Sequence, residues 1–228
     1  MKKASLVIAA ALLALPLTAR AGVLEDAVGG PEWLKYGFDE RLRQEDVFYS
    51  PRGAVTNTDF VYNRMRTRLF AGLTPVKEVE AYLRFTNEYR YYWEPRHNVH
   101  VLRDEVILDN GYLAIVKPAD LPVSAKLGRQ DLAYGEGFLL LDGGPNDGSR
   151  TSYSDGGKFT LEAADSIFDA LIFYNKVTQP FAIDEAKDFR MDDQEVGLYG
   201  LYATNATLLE KQKIEAYYLY KNGKKSVL

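Results

Sequence analysis

The chain has 228 residues, with 28 Lys and Arg against 32 Asp and Glu, a formal net charge of −4, and no cysteine. So nearly balanced a charge gives no electrostatic footprint for nucleic acid, and the missing thiols exclude disulfides, thiolate metal centres and cysteine nucleophiles. Beyond the N-terminus no segment approaches the roughly 20 apolar residues of a membrane helix, whereas sixteen Tyr and eleven Phe suit sheet and interface.

The N-terminus reads as a secretory signal. Lys2 and Lys3 form a basic start, Leu6 to Leu17 an apolar stretch, and Ala19-Arg20-Ala21 a small-x-small cleavage pattern. The apolar run is too short for a bilayer, so residues 1–21 are expected to be removed after export. No Cys follows to take a lipid. Residues 22–33 are expected to be a short periplasmic segment, residues 34–221 one β-domain, and residues 222–228 a tail.

Nine strands are expected in chain order: Leu34–Asp46, Phe60–Ala71, Lys77–Trp93, Glu105–Val116, Pro122–Gln130, Lys158–Ala163, Ile167–Asn175, Gln194–Thr204 and Lys211–Lys221. The connections alternate. Val47–Asp59, Glu94–Asp104, Asp131–Gly157 and Lys176–Asp193 are long, whereas Gly72–Val76, Lys117–Leu121, Ala164–Ser166 and Asn205–Glu210 are short. Short turns at one end and long loops at the other describe an antiparallel up-and-down transmembrane β-barrel meander, with periplasmic turns and external loops.

The third strand carries the clearest pattern. Val79, Ala81, Leu83, Phe85, Asn87, Tyr89, Tyr91 and Trp93 share one face, and Glu78, Glu80, Tyr82, Arg84, Thr86, Glu88, Arg90 and Tyr92 the other. Period two puts an oily row against lipid and a charged row against water, with Tyr89, Tyr91 and Trp93 at the outer rim. In the second strand Arg64, Arg66 and Arg68 share a face with Tyr62 and Phe70, opposite Val61, Met65 and Leu69. Each cation would cost about 2–4 kcal/mol near the midplane, so the three must face an aqueous lumen. Arg41 and Arg43 of the first strand and Arg84 and Arg90 of the third extend the ladder, and cations lining a pore favour anions. A plainer role is open beside that one: cross-strand pairing with Glu78, Glu80, Glu88 and Asp39.

Asp104–Leu113 (DEVILDNGYL), Leu121–Gln130 (LPVSAKLGRQ) and Leu132–Gly137 (LAYGEG) resemble the alginate export family of Gram-negative outer-membrane barrels, LGRQ at Leu127–Gln130 being the most specific piece. The resemblance runs from about Tyr36 to Tyr220. It implies passive export of an anionic polysaccharide, or diffusion of small anions, through an arginine-lined pore, with outer-membrane lipid and the barrel-assembly machinery as partners and neither cofactor nor catalysis. Arg129 is carried over by motif. Its parity is that of Val123, Ala125 and Leu127, so a bulge near Gly128 is expected to turn it, or else it snorkels at the rim. The chain departs from the family in strand number: family members have about twice as many, and nine antiparallel strands cannot close with every neighbour antiparallel. An incomplete barrel is expected, an N-terminal half or truncated member, completed by a second half-barrel or an oligomer.

Other sites read weakly. Asp142, Asn146, Asp147 and Asp155 in a glycine-rich loop carry oxygen ligands for Ca²⁺ but lack EF-hand spacing. His97 and His100 lack a third ligand. Asp184/Glu185 and Asp192/Asp193 are adjacent rather than opposed across a cleft, and Asn205-Ala206-Thr207 matches a glycosylation acceptor. No metal is expected at any of them. Two other functional classes remain: a soluble periplasmic carbohydrate-active β-protein, and a surface adhesin or scaffold using the long loops.

Overall fold

A computed structural model describes residues 31–47, 60–96, 99–141, 154–176, 194–210 and 212–225. The signal segment, His97, Asp142, Asn146, Asp147 and the acidic pairs at 184/185 and 192/193 lie outside the described residues. The chain is all-β. Its strands are β1 (Leu34–Val47), β2 (Phe60–Val76), β3 (Val79–Arg96), β4 (Val99–Val116), β5 (Val123–Gln130), β6 (Ala133–Tyr134), β7 (Leu140–Leu141), β8 (Ser154–Ala163), β9 (Ser166–Asn175), β10 (Gln194–Leu209) and β11 (Gln212–Lys225). Nine of them form one antiparallel up-and-down sheet, in the order β1-β2-β3-β4-β5-β8-β9-β10-β11, and β6 pairs with β7 in a separate ribbon. The large sheet is open, with β1 and β11 at its edges. Every neighbouring pair is antiparallel, so β1 and β11 run in the same direction.

The two faces invert the usual order of a protein interior. Leu42, Leu69, Leu83, Phe85, Leu113, Leu127, Phe159, Ile172 and Leu201 are exposed, whereas Arg64, Arg66, Thr86, Glu88, Asp109, Asn110 and Asp169 are buried. Paired residues project to one side of a sheet, so the registered chain Arg68–Thr86–Ile107 and Tyr82–Tyr112–Gly128–Gly156–Phe173–Leu198 traces a single face across β2 to β10. This polar face carries the charges; the opposite, apolar face is bare. At the loop end of the apolar face stand Trp93, Tyr174, Tyr199 and Tyr220, all exposed. Nearer the turns, Ile115, Val123, Phe159, Leu161, Phe168 and Leu201 line a shallow groove of about 500 Å³.

Several expected bounds are corrected: Gly72–Val76 continues β2 and Asn205–Leu209 continues β10, which leaves tighter turns. Glu94–Asp104 is not a long loop: β3 continues to Arg96 and β4 begins at Val99, so both strands reach 18 residues. The period-two pattern of β3 simply persists, interrupted by a register shift between Tyr91 and Arg96 that accommodates Pro95, which has no N–H to give the ladder. His100 therefore sits in a strand, its Nδ1 2.9 Å from the Tyr92 carbonyl and its ring stacked on Tyr91. The Asp131–Gly157 connection does not stay outside as far as it is described: residues 131–141 lie against the polar face. Asp155 belongs to β8, and β11 runs through Asn222 to Lys225, into the expected tail.

The short turns are tight. Ala164 and Asp165 join β8 to β9 with φ of 50° and 58°. Two positive φ values at a two-residue hairpin are the geometry that Asn-Gly adopts most readily. Ala164→Gly is expected to raise stability by about 1 kcal/mol, because the Cβ of Ala disfavours the left-handed conformation; a denaturant midpoint checks it. Asn205 holds the next turn. Its side-chain amide bonds the Asp165 carbonyl and Ser166 Oγ, and its Oδ1 accepts from the N–H groups of Thr207 and Leu208.

Candidate functional site: a charged face crossed by a strap

The alternation of β1, β2 and β3 sends Arg41, Arg43, Arg64, Arg66, Arg68, Arg84 and Arg90 to the polar face, where register sets Arg41 beside Arg66, Arg43 beside Arg64 and Arg64 beside Arg90. Like charges at such spacing repel unless anions stand between them. The chain supplies those anions. Glu88, fully buried, takes Arg64 at 3.1 Å and Arg90 at 2.6 Å. Glu45 takes Arg43, Arg64 and the Tyr62 hydroxyl. Asp39 takes Arg66. Asp109, also fully buried, accepts from Arg84 at 2.9 Å and from Thr86 at 2.6 Å, and Arg68 of the non-adjacent β2 reaches it at 3.7 Å. Asp109 gains this reach from a bulge: Arg84 pairs with Asn110 and Phe85 with Leu108, so Asp109 is the extra residue.

Of the acids expected to pair across strands, Glu88 and Asp39 do so. Glu80 instead accepts from the Tyr112 hydroxyl at 2.8 Å, and Glu78 pairs with Lys77. Glu45, Asp109 and Asp131 also pair with the arginines. Yet donors are left over. Arg43 Nε, Arg66 Nε and both Nε and Nη2 of Arg68 are buried with no hydrogen-bond partner among the described residues. A buried guanidinium N–H without an acceptor costs about 1–3 kcal/mol, more for a charged group. These arginines are nonetheless ion-paired, Arg43 with Glu45, Arg66 with Asp39 and Arg68 with Asp109, so what is left over is N–H donors rather than charge, and Glu88 Oε2 is likewise a buried acceptor without a partner among the described residues.

Arg129 stands apart from the seven. It is 3% exposed although Leu127, of the same parity, is 52% exposed. The cause is not a bulge in β5, whose ladders to β4 and β8 stay in register. It is a twist at Gly128, where φ is +125° and a Cβ would meet the Gly111 carbonyl oxygen at 2.3 Å. The guanidinium grips Asp155 with two parallel bonds of 2.7 and 2.8 Å and donates to the Leu108 carbonyl at 2.7 Å. Asp155 is therefore engaged by Arg129 rather than facing a cation site.

Sequence reasoning missed two cations and a loop. Lys126 and Lys158 face each other across β5 and β8, with Lys126 Nζ 4.1 Å above the Tyr112 ring. Alternation with Ala125 and Leu127 is enough to place Lys126. The loop is the strap Asp131–Leu141. Asp131 binds Arg84 at 2.9 Å and Asn110 at 2.6 Å. Leu132 packs on Leu171 and Phe173. Tyr134 donates to Asp169 at 2.7 Å, the Gly135 N–H donates to the Tyr202 hydroxyl at 3.2 Å, and Glu136 meets Lys213 at 2.8 Å. Burial, and next the Asp169 carboxylate, push the Tyr134 phenol well above its usual range, so it donates across the physiological pH scale. The strap crosses the polar face from β3 to β11.

No protein-family model matches the chain, and no curated protein is significantly similar to it.

Proposed function

We propose that this chain forms part of the wall of an outer-membrane β-barrel channel of a Gram-negative bacterium, through which an anionic polysaccharide or small anions pass by diffusion. The observation that carries the reading is the inversion of the sheet: a bare leucine-, isoleucine- and phenylalanine-rich face opposite a buried arginine–carboxylate face. In water that arrangement leaves a large apolar area unprotected; in a bilayer the same area is solvated by hydrocarbon and the charges line the wet side. The aromatic residues at the loop end of the apolar face match an interfacial girdle. The partly satisfied guanidiniums supply the selectivity: each offers N–H donors to a passing carboxylate or phosphate, and many weak sites let the anion move on. A soluble carbohydrate-active protein would instead need an apolar buried layer.

An open sheet edge cannot face lipid, so further strands close the barrel in this reading. Because β1 and β11 run the same way, closure with antiparallel seams needs an odd number of added strands. A second copy in the same membrane orientation would meet this one in two parallel seams, so an oligomer of this chain fits poorly, and a strand-supplying partner or a longer polypeptide fits well. Anionic polysaccharide export, as in the alginate export family that the sequence resembles, is the substrate class we favour.

The test is fractionation followed by conductance. The full chain, expressed with its signal in a Gram-negative host, is expected in detergent extracts of the outer membrane with heat-modifiable gel mobility. Recovery in the aqueous periplasmic extract would end the reading. In planar bilayers the extracted assembly, with the strands that close it, is expected to pass chloride in preference to potassium. Arg66→Gln with Arg68→Gln should cut that preference severalfold, since it removes two positive charges from the row that faces the lumen.

A further inference from the structure

We infer that Asp131 is a built-in competitor for the transported anion, carried to Arg84 by the strap, and that it must leave Arg84 before Arg84 can take a substrate carboxylate. The inference rests on the channel reading and deepens it by naming one side chain of the anion path and what blocks it. Arg84 is the arginine with the strongest claim on a carboxylate from a loop rather than a strand. Its Nε is engaged by Asp109 at 2.9 Å, from the bulge of β4, and its Nη2 is forked by Asp131 at 2.9 and 3.2 Å. The Asp109 carboxylate is fully buried, but that of Asp131 is 37% exposed. Asp131 therefore stands where a carboxylate arriving from solvent would stand, in the geometry it would use. Next to this site Arg68 presents two donors that lack acceptors, and it too points at Asp109. A uronate carboxylate displacing Asp131 would bind Arg84 in its place.

The strap is built to hold and to release. Leu132 anchors it on Leu171 and Phe173, buried apolar residues of β9. Beyond the anchor, Tyr134 bonds Asp169, the Gly135 N–H bonds the Tyr202 hydroxyl and Glu136 meets Lys213, so the strap keeps its place when Asp131 lets go. Asp131 lies on the other side of the same anchor, so its carboxylate can leave Arg84 by a side-chain rotation, without unfolding the sheet.

The experiment titrates the full chain, refolded in detergent, with a galacturonate trimer by calorimetry. Asp131→Asn keeps the side-chain shape and its contact with Asn110 but removes the competing charge. It is expected to bind the trimer about fivefold more tightly than the native chain, the factor that one partly exposed ion pair controls, and Arg84→Gln in that background should abolish the gain. Native binding with no tightening in Asp131→Asn overturns the inference and leaves the channel reading standing. Absence of trimer binding by both the native chain and the variant removes the arginine reading and this inference with it. Should Asp131→Asn fail to refold, Asp131→Ser removes the same charge from this partly exposed position. Tighter binding there supports the inference, and unchanged affinity overturns it.

Discussion

Leu69→Arg is expected to destabilise the folded chain by about 2–4 kcal/mol in lipid vesicles, the cost of a guanidinium near the bilayer midplane. Leu69 stands at the middle of β2, opposite Phe85, and is 55% exposed on the apolar face. The same substitution at an exposed position of a water-soluble sheet would change stability by less than about 0.5 kcal/mol. The two environments thus predict effects several-fold apart for one side chain. Urea unfolding from vesicles, followed by the loss of the compact gel band, measures it. An unchanged midpoint would mean that water, not hydrocarbon, covers this face, and the channel reading would fall.

Glu88→Gln should cost about 3 kcal/mol or more, for a different reason. Glu88 is fully buried and is shared by Arg64 and Arg90 at 3.1 and 2.6 Å. Taking away one partner of a buried pair leaves the opposite charge uncompensated, which costs about 3–5 kcal/mol even where the intact pair contributes little net stability. Here two guanidiniums lose it at once, and the contact with Glu45 that Arg64 retains is longer, at 3.4 Å. Glu162→Gln is the control: its pair with Lys117 is exposed on both sides and is expected to matter by less than about 1 kcal/mol. Equal effects of the two substitutions on the urea midpoint would mean that the polar face is wetter than its packing indicates.

These two effects follow from one strand pair, and much of that pair is legible in the amino-acid order alone. The alternation of β2 and β3 sorts Arg64, Arg66 and Arg68 from Leu69, and Arg84, Glu88 and Arg90 from Leu83 and Phe85. A pleated strand leaves a side chain two directions, so parity is enough. The nine strands of the main sheet and their antiparallel order are legible as well, because connections as short as Ala164–Ser166 or Lys117–Leu121 allow only a reversal. The position of Arg129 is not, since parity fails where Gly128 enters a conformation closed to other residues.

What parity could not give is who meets whom across non-adjacent strands. Asp109 finds Arg68 and Arg84 because a bulge in β4 adds one residue, a shift of register set by both strands together. Asp131, Leu132, Tyr134 and Glu136 look like the start of a polar loop, and nothing in their spacing says that they turn onto the charged face. That is decided by Leu171 and Phe173, which lie tens of residues away and offer the loop its apolar foothold. The chain by itself fixed which side of each strand is oily and which is charged, because that depends on neighbours in sequence. The ion pairs, the strap and the donors left without acceptors depend on neighbours in space, and only the folded sheet brings those together.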